Sequence, residues 1–291
     1  MQLVTFSHQG QIRVGARITR DGRSDVLDLN RADPRLPTDM IAFLKEGNAA
    51  LALARQAMAA ARKHDLVAET DIRLLAPILR PGKIICLGHN YYDHMGQGNE
   101  VPPEHPTFFC KTANTIIGMG QPIVLPKISQ QVDYEAELAV VVGRSARHVS
   151  PEIALGYVAG YTIFNDVSAR DVQKRSSQWL LGKSFDTFGP LGPALVTADE
   201  IPDPHVLELS LTHNDLERQH TNTRNMIFSI PRLIAELSEV MTLEPGDVIS
   251  TGTPAKINGT PDAPLFRQPG DIVCIRIEKI GELINPVVAE V

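Results

Sequence analysis

From Lys83 onward the sequence is dominated by short β-rich runs, which are separated by turns rich in Gly, Pro, Asn and Asp. The runs are KIICLG, PIVLP, AELAVVVG, GYTIFND, PALVTADE, LELSLTHND, GDVISTG and DIVCIRIEKIGELINPVV. Many short strands with few helices between them favour a mixed-sheet barrel, roll or sandwich over a doubly wound parallel sheet. The nucleotide-binding patterns GxGxxG and GxxxxGK[ST] are absent from the sequence. The sequence therefore predicts an α+β, β-rich fold.

The N-terminal part has a different pattern. Short strands alternate with turns in its first thirty residues, and an Ala-rich stretch then predicts two helices with a break near Gly47. A proline-containing connector follows. We expect a small N-terminal α/β domain over residues 1–78 and a larger domain over 79–291. Two further helices are predicted at 150–158 and 229–241.

Composition limits the classes of function. Apolar residues make up 43% of the chain and charged residues 21%, as in globular proteins, and the net charge is -6. This balance gives no basic field for nucleic acid or for an anionic membrane surface. The sequence has no apolar run of membrane-spanning length, no signal-peptide pattern at its start and three widely separated cysteines. We expect a cytoplasmic protein with neither nucleic-acid nor membrane partners.

Three carboxylates lie at the ends of apolar strands. Glu135 and Glu137 open the strand AELAVVVG, and because side chains in a strand alternate with period two, they share a face. Such a pair repels unless a cation or a salt-bridging residue lies nearby, and the pair alone leaves both interpretations open. Asp166 ends the strand GYTIFND, either as a third ligand or as the cap of the next helix. Three carboxylates without His or Cys suit Mg²⁺, Mn²⁺ or Ca²⁺.

Cationic and polar residues follow Asp166. Arg170 and Gln173 lie four and seven residues later, so on a helix they would share the face of Asp166. Lys183 lies in a Gly-bounded stretch without a helical pattern. Beside a divalent ion, Arg and Lys would suit a small acidic substrate such as a 2-oxo acid, whereas ordinary surface charge pairing is the alternative.

Two loop segments carry further candidates. His94, with His89 and His105, lies in a long Gly- and Pro-rich segment, and histidine is the obvious general base near neutral pH. Thr251 and Thr253 end a strand with a glycine between them. That turn could present N–H groups and a hydroxyl to a carboxylate.

Taken in order, five segments resemble the fumarylacetoacetate hydrolase family, in its bacterial branch of acylpyruvate hydrolases and hydroxyheptadienedioate isomerases. They are KIICLGHNYYDH, VDYEAELAVVVG, GYTIFNDVSARDVQ, GKSFDTFGPLGP and PGDVISTGTP, and the resemblance covers residues 80–291. It implies a mixed β-sheet fold of barrel or roll type around Mg²⁺ or Mn²⁺, and commonly a homodimer.

The resemblance also implies a role for each matching residue. The metal ligands would be Glu135, Glu137 and Asp166. The residues facing the substrate would be Lys183 at its enolate or carbonyl oxygen, Arg170 and Gln173 as contacts, Thr253 at its carboxylate and His94 as activator of water. Asp133 lies outside this ligand pattern, and we interpret it as a strand-entry carboxylate that supports the site.

One position departs from the family pattern. Hydrolytic members pair the histidine with a Glu three residues later, where this chain has Gln97. Glutamine can orient a histidine or a water molecule, but it cannot accept the proton. The expected activity is hydrolysis of a C–C bond in a 2,4-dioxo acid, such as an acylpyruvate or fumarylpyruvate, through a metal-bound enolate. The alternatives are decarboxylation of an oxaloacetate-type acid, isomerisation of a 2-hydroxydienoate, and metal or carboxylate binding without catalysis.

Overall fold

The computed structural model describes residues 1–20, 23–95, 102–257 and 266–291. Within these ranges the chain forms a strand-rich α+β structure with several sheets, which confirms the predicted fold class. None of the helices in these ranges combines the length and the apolar character needed to cross a membrane.

The N-terminal part contains five strands and three α-helices. They are β1 (Gln2–His8), β2 (Gln11–Arg20), β3 (Arg23–Asp28), α1 (Leu29–Ala32), α2 (Met40–Lys45), α3 (Asn48–Ala60), β4 (Leu66–Ala68) and β5 (Arg73–Leu75). The Asp39 side chain caps α2 by accepting a hydrogen bond from the Ala42 N–H. Gly47 has a φ of +55°, which separates α2 from α3 and confirms the predicted break.

The larger part contributes the remaining strands and helices. The first group is β6 (Ile84–Gly88), β7 (Thr107–Lys111), β8 (Ile116–Ile117), β9 (Ile123–Leu125), β10 (Val132–Asp133), β11 (Ala136–Val142), β12 (Val158–Asn165) and β13 (Ser168–Ala169). The second is α4 (Arg170–Gln173), α5 (Leu180–Lys183), β14 (Gly189–Thr197), β15 (Glu208–His213), β16 (Leu216–Asn222), α6 (Ile230–Val240), β17 (Val248–Ser250), β18 (Ile272–Ile277) and β19 (Gly281–Ala289). The 3₁₀ helices within the described ranges of both parts are Lys63–Asp65, Glu69–Asp71, Tyr92–Met95, Ala113–Thr115, Pro151–Tyr157, Ala198–Glu200 and Thr223–Asn225.

The described strands form two main sheets and one short pair. The large sheet follows the order β4-β3-β2-β1-β14-β12-β11-β17-β6-β7, with β5 beside β1 and β8 beside β14. The second sheet follows β16-β15-β18-β19-β9, and β10 pairs with β13. Each order is an open path, so the described strands close no barrel. Because β1 pairs with β14, the N-terminal strands continue the large sheet, and the boundary near residue 78 stays a prediction.

Strand β11 lies at the centre of the molecule and is buried along its whole length. Leu138 and Val140 face one hydrophobic core, whereas Ala139 and Val141 face another. A strand that is covered on both faces reads as a continuous apolar run, which is what the sequence AVVV shows. The carboxylates at the start of β11 therefore lie directly next to the core.

The two helices predicted in the larger part have different outcomes. Helix α6 confirms the prediction for 229–241, with Ser229 at its N-cap position and a proline in its first turn. The segment predicted as a helix at 150–158 is instead the 3₁₀ helix Pro151–Tyr157. It contains Gly156 and runs straight into β12, so it has neither the helix propensity nor the length for a stable α-helix.

Candidate metal centre

Antiparallel pairing of β11 with β12 brings the three predicted carboxylates together. Residue Glu137 is paired with Phe164, so the start of β11 lies beside the end of β12, which Asp166 follows directly. The Asp166 N–H donates to the Glu135 carbonyl at 2.9 Å. One carboxylate oxygen from each of Glu135, Glu137 and Asp166 lies within 4.8 Å of the others, and all three side chains are buried. Glu135 directly precedes the first residue of β11, so of the two glutamates only Glu137 lies within the strand.

Glu137 is anchored through only one of its oxygens. Its Oε2 accepts hydrogen bonds from the Ser250 hydroxyl at 2.5 Å and from the Gly252 N–H at 2.8 Å. Its Oε1 is buried and has no hydrogen-bond partner among the described residues. Burial, and after it the charges of Asp166 and Glu135, raise the pKa of Glu137 well above its usual range. An oxygen in this position needs either a proton or a cation.

The glycine in the turn after β17 is required by its surroundings. Gly252 has a φ of +93°, and a Cβ there would lie 2.8 Å from the Cβ of Asn90. The sequence predicted that this turn could present N–H groups and a hydroxyl to a carboxylate. The Gly252 N–H holds Glu137, whereas Thr253 lines a small cavity.

Lysine and arginine side chains hold the other two carboxylates. Glu135 pairs with Arg170 Nη2 through Oε1 at 2.5 Å and with Lys183 Nζ through Oε2 at 2.5 Å. Asp166 Oδ2 pairs with the same Lys183 Nζ at 2.6 Å, so Asp166 does not cap a helix. Burial opposes the pKa shift of each group, but the neighbouring charges outweigh it. Lys183 and then Arg170 lower the pKa of Glu135. Asp166 and then Glu135 raise the pKa of Lys183. Lys183 therefore stays cationic.

A second buried lysine lies behind Asp166. Lys111, the last residue of β7, donates to Asp166 Oδ1 at 2.6 Å and to the Val167 carbonyl at 3.0 Å. Burial lowers the pKa of Lys111, with a smaller contribution from Lys183, while Asp166 opposes the shift. The sequence analysis missed this residue, and its only signal was a lysine directly after the apolar run TFFC.

The donor set fits a hard divalent cation. Every candidate ligand atom is a carboxylate oxygen, which suits Mg²⁺, Mn²⁺ or Ca²⁺ and leaves the choice among them open. Among the described residues, the buried and unpartnered Glu137 Oε1 is the observation that most directly fits a cation at this cluster. Glu135, Glu137 and Asp166 are therefore the residues that would hold the ion.

Arg170 and Gln173 lie together beside this cluster, but not in the predicted manner. Helix α4 begins at Arg170, after the short strand β13, so Asp166 is not on the same helix. Arg170 donates to Gln173 Oε1 at 3.0 Å and to Asp133 Oδ2 at 3.0 Å. Asp133 also accepts from Lys256 Nζ at 2.6 Å. Asp133 therefore positions Arg170, and it is not in the group of three carboxylates that lie within ligand distance.

The predicted absence of a helix around Lys183 is wrong, because Lys183 is the last residue of α5. Gly182 explains the close packing, since a Cβ there would lie 2.6 Å from the backbone of Gln173 in α4. Lys183 consequently faces a small cavity of about 140 Å³. This cavity is lined by Leu87, Gly88, His89, Phe109, Glu135, Arg170, Gln173, Trp179, Lys183 and Thr253.

The predicted general base is only partly described. The backbone of His94 lies in the 3₁₀ helix Tyr92–Met95, whereas its side chain and the whole of Gln97 lie outside the described residues. His89 lines the cavity with a φ of +56°, and its ring lies edge-on to Trp179 at 6.0 Å. His105 is exposed, with its ring 4.0 Å from Glu236.

Comparisons with known proteins give one matching family model and similar relatives. A model of the C-terminal domain of fumarylacetoacetate (FAA) hydrolase matches residues 83–288. The mitochondrial oxaloacetate tautomerase Fahd2a of Rattus norvegicus is 45% identical over 291 residues, which cover 99% of this chain and 92% of the relative.

The solved structures of similar proteins include one named as an isomerase and one named as a hydrolase. A 5-carboxymethyl-2-hydroxymuconate delta-isomerase from Mycobacterium smegmatis superposes with a TM-score of 0.80 at 35% identity. A maleylpyruvate hydrolase from Sphingobium sp. SYK-6, in complex with manganese(II) and pyruvate, superposes with a TM-score of 0.81 at 31% identity. Both comparisons cover 100% of each chain.

Proposed function

Because the chain belongs to the fumarylacetoacetate hydrolase family, a family of enzymes, we propose that it catalyses keto–enol tautomerisation of a short 2-oxo dicarboxylic acid such as oxaloacetate, with a divalent metal ion. The observation that carries this proposal is the buried carboxylate cluster, with its unpartnered Glu137 oxygen, beside a small cavity that Lys183 and Arg170 line. The 45% identity to an oxaloacetate tautomerase supports the choice of reaction.

The charges around the cluster support a dianionic reactant. The three carboxylates are matched in number by three cations, Lys111, Lys183 and Arg170, which contact two of the carboxylates, Asp166 and Glu135. Asp133 and Lys256 form a further pair that adds no net charge. A bound divalent ion would therefore leave two surplus positive charges in a buried site. The dianion of oxaloacetate, with its two carboxylates, carries the two negative charges that balance them.

Cavity size supports a short substrate. The volume of about 140 Å³ is well below the roughly 300–1,000 Å³ of pockets that take drug-sized ligands. Arg170 and Gln173 on one wall and the hydroxyl of Thr253 on another supply donors for carboxylate groups. These three residues are proposed as the substrate contacts.

The chemistry then requires a proton to move between the carbon beside the 2-oxo group and the enol oxygen. A divalent ion would supply Lewis-acid polarisation of the 2-oxo group. Lys183, held cationic by two carboxylates, would stabilise negative charge that develops on the substrate oxygen. His94 remains the proposed proton carrier. Because tautomerisation needs no attack by water, the glutamine at position 97 limits this reaction less than it limits hydrolysis.

Hydrolysis of an acylpyruvate-type 2,4-dioxo acid is the second candidate. The maleylpyruvate hydrolase with manganese(II) and pyruvate, which has the same fold, favours it. Gln97 weighs against it, since glutamine cannot accept a proton from the histidine or stabilise its charge. Oxaloacetate decarboxylation would use the same residues. The homodimer and the cytoplasmic location stay predictions, and the rat relative is mitochondrial by name.

A substrate panel separates these activities. The Mn²⁺-loaded enzyme is given enol-oxaloacetate, acylpyruvate and fumarylpyruvate, and kcat/KM is measured for enol loss, for C–C cleavage and for release of CO₂. We expect kcat/KM for tautomerisation to exceed that for hydrolysis by at least about 100-fold. This factor is the usual contribution of a general base, and for hydrolysis Gln97 cannot accept the proton from the histidine. Free Mn²⁺ at the same concentration gives the background. Faster cleavage than tautomerisation would make the chain a hydrolase, and faster CO₂ release would make it a decarboxylase.

A further inference from the structure

Gln219 connects the two sheets directly behind the candidate site. It lies on β16, the edge strand of the second sheet, and is only 1% exposed. Its Oε1 accepts a hydrogen bond from the Ala136 N–H at 3.0 Å. Its Nε2 donates to Thr253 Oγ1 at 2.9 Å and to the Pro254 carbonyl at 2.7 Å. One side chain thus contacts both the residue between Glu135 and Glu137 and the hydroxyl in the cavity wall.

A β-bulge turns this side chain inward. Leu211 of β15 is paired with Gln219, whereas the next residue, Thr212, is paired with Glu217, so Arg218 is an extra residue in β16. The inside–outside alternation is broken there, and Arg218 and Gln219 are both buried. Bulges recur beside active sites because they redirect a side chain in this way.

The orientation of the Gln219 amide follows from two partners that each allow only one role. The Ala136 N–H is only a donor, so it must face the amide oxygen, and the Pro254 carbonyl is only an acceptor, so it must face the amide nitrogen. The remaining amide hydrogen points at Thr253 Oγ1, which must accept it. The hydroxyl hydrogen of Thr253 cannot then point at Gln219 and is kept for another acceptor.

We propose that Gln219 is a positioning residue that makes the Thr253 hydroxyl a hydrogen-bond donor to the substrate carboxylate. This inference rests on the proposed function, in which Thr253 is a substrate contact. A hydroxyl that is free to rotate could turn its lone pairs toward the carboxylate. Gln219 removes that orientation before the substrate arrives, which strengthens binding by pre-organisation. Its bond to Ala136 also fixes the backbone between the first two carboxylates.

A double-mutant cycle tests the proposal through binding. The dissociation constant of oxalate is measured by calorimetry on Mn²⁺-loaded wild type, Gln219→Met, Thr253→Val and the double variant. We expect each single variant to weaken oxalate binding by about tenfold or more, as for loss of a hydrogen bond to a charged group. In the Thr253→Val background, Gln219→Met should cost less than about twofold, because the two residues act as one unit. Mn²⁺ is kept saturating and its affinity for each variant is measured separately, because loss of the Ala136 bond is expected to weaken the metal site by itself.

Equal losses in both backgrounds would show that Gln219 acts independently of Thr253 and would overturn the proposal, as would a Gln219→Met variant with unchanged oxalate binding. If that variant does not fold, Gln219→Glu replaces it. The carboxylate keeps the Ala136 bond but cannot donate to Thr253, and its added charge is present in both backgrounds and cancels in the cycle. Wild type that binds no oxalate would also overturn the proposal. Wild type that binds oxalate but converts no oxaloacetate would overturn only the proposed reaction.

Discussion

Glu137→Gln is expected to weaken Mn²⁺ binding by at least about 100-fold, since changes to mere supporting partners of metal ligands already cost 10–100-fold. The amide oxygen of the glutamine will take the place of Oε2, because that position accepts from the Ser250 hydroxyl and the Gly252 N–H. The amide nitrogen is then left at the place of Oε1, where it presents hydrogens to the ion. Calorimetry or Mn²⁺ electron paramagnetic resonance measures the loss.

The same variant should not lose stability without metal. A neutral amide avoids the charge that burial, and after it Asp166 and Glu135, disfavour at this position, so the metal-free melting temperature should equal or exceed that of wild type. The rise in melting temperature that Mn²⁺ gives wild type should disappear. Asp271→Asn is the matched control, because Asp271 is a buried carboxylate directly before β18 that is bonded to Gln268 and Asn214. If Glu137→Gln binds Mn²⁺ within about threefold of wild type, Glu137 is not a ligand.

Lys183→Met is expected to lower kcat for oxaloacetate tautomerisation by about 100- to 1,000-fold, the loss typical of removing one donor that stabilises developing charge. Its effect on metal binding should be the opposite of that of Glu137→Gln. Removing a cation that contacts Glu135 and Asp166 leaves the negative charge of both carboxylates less compensated. Mn²⁺ should therefore bind as tightly as to wild type or more tightly. Steady-state kinetics at saturating Mn²⁺, together with Mn²⁺ titration, measures both effects.

Lys111 provides the matched control for Lys183. It is the other buried lysine on Asp166, but it is not among the described residues that line the cavity. Lys111→Met should therefore reduce kcat by less than about tenfold, acting only through the position of Asp166. Similar kcat losses in the two variants would mean that Lys183 serves to neutralise Asp166 and does not act on the substrate. Melting temperatures with Mn²⁺ separate loss of folding from loss of catalysis.

Sequence geometry supplied part of the acidic cluster and left its interpretation open, and the family resemblance supplied the set of three ligands. Alternation placed Glu135 and Glu137 on one side of a strand, and Asp166 ended the next strand along the large sheet, which pairs antiparallel with the first. The apolar run AELAVVVG was predicted as a strand, and β11 is buried along its whole length. Local sequence could not supply the partners, because Lys111, Ser250 and Gln219 come from three other strands.

The wrong predictions concern short segments whose conformation depends on their surroundings. Lys183 ends a helix of four residues that exists because Gly182 allows it to pack against α4, and no sequence period reveals so short a helix. Gln219 was hidden for a related reason, since a bulge breaks the alternation on which strand predictions rest. In both cases tertiary packing decides which way a functional side chain points.

Metal reconstitution tests the central claim most directly. Wild-type protein is stripped with EDTA, freed of chelator and mixed with enol-oxaloacetate, and the decay of enol absorbance is followed before and after addition of Mn²⁺ or Mg²⁺. We predict that the stripped protein is no faster than buffer, that either ion restores activity above the ion-only rate, and that Glu137→Gln regains none of it at the same ion concentration. Full activity in the stripped protein, or none with either ion, would contradict a metal-dependent tautomerase built on Glu135, Glu137 and Asp166.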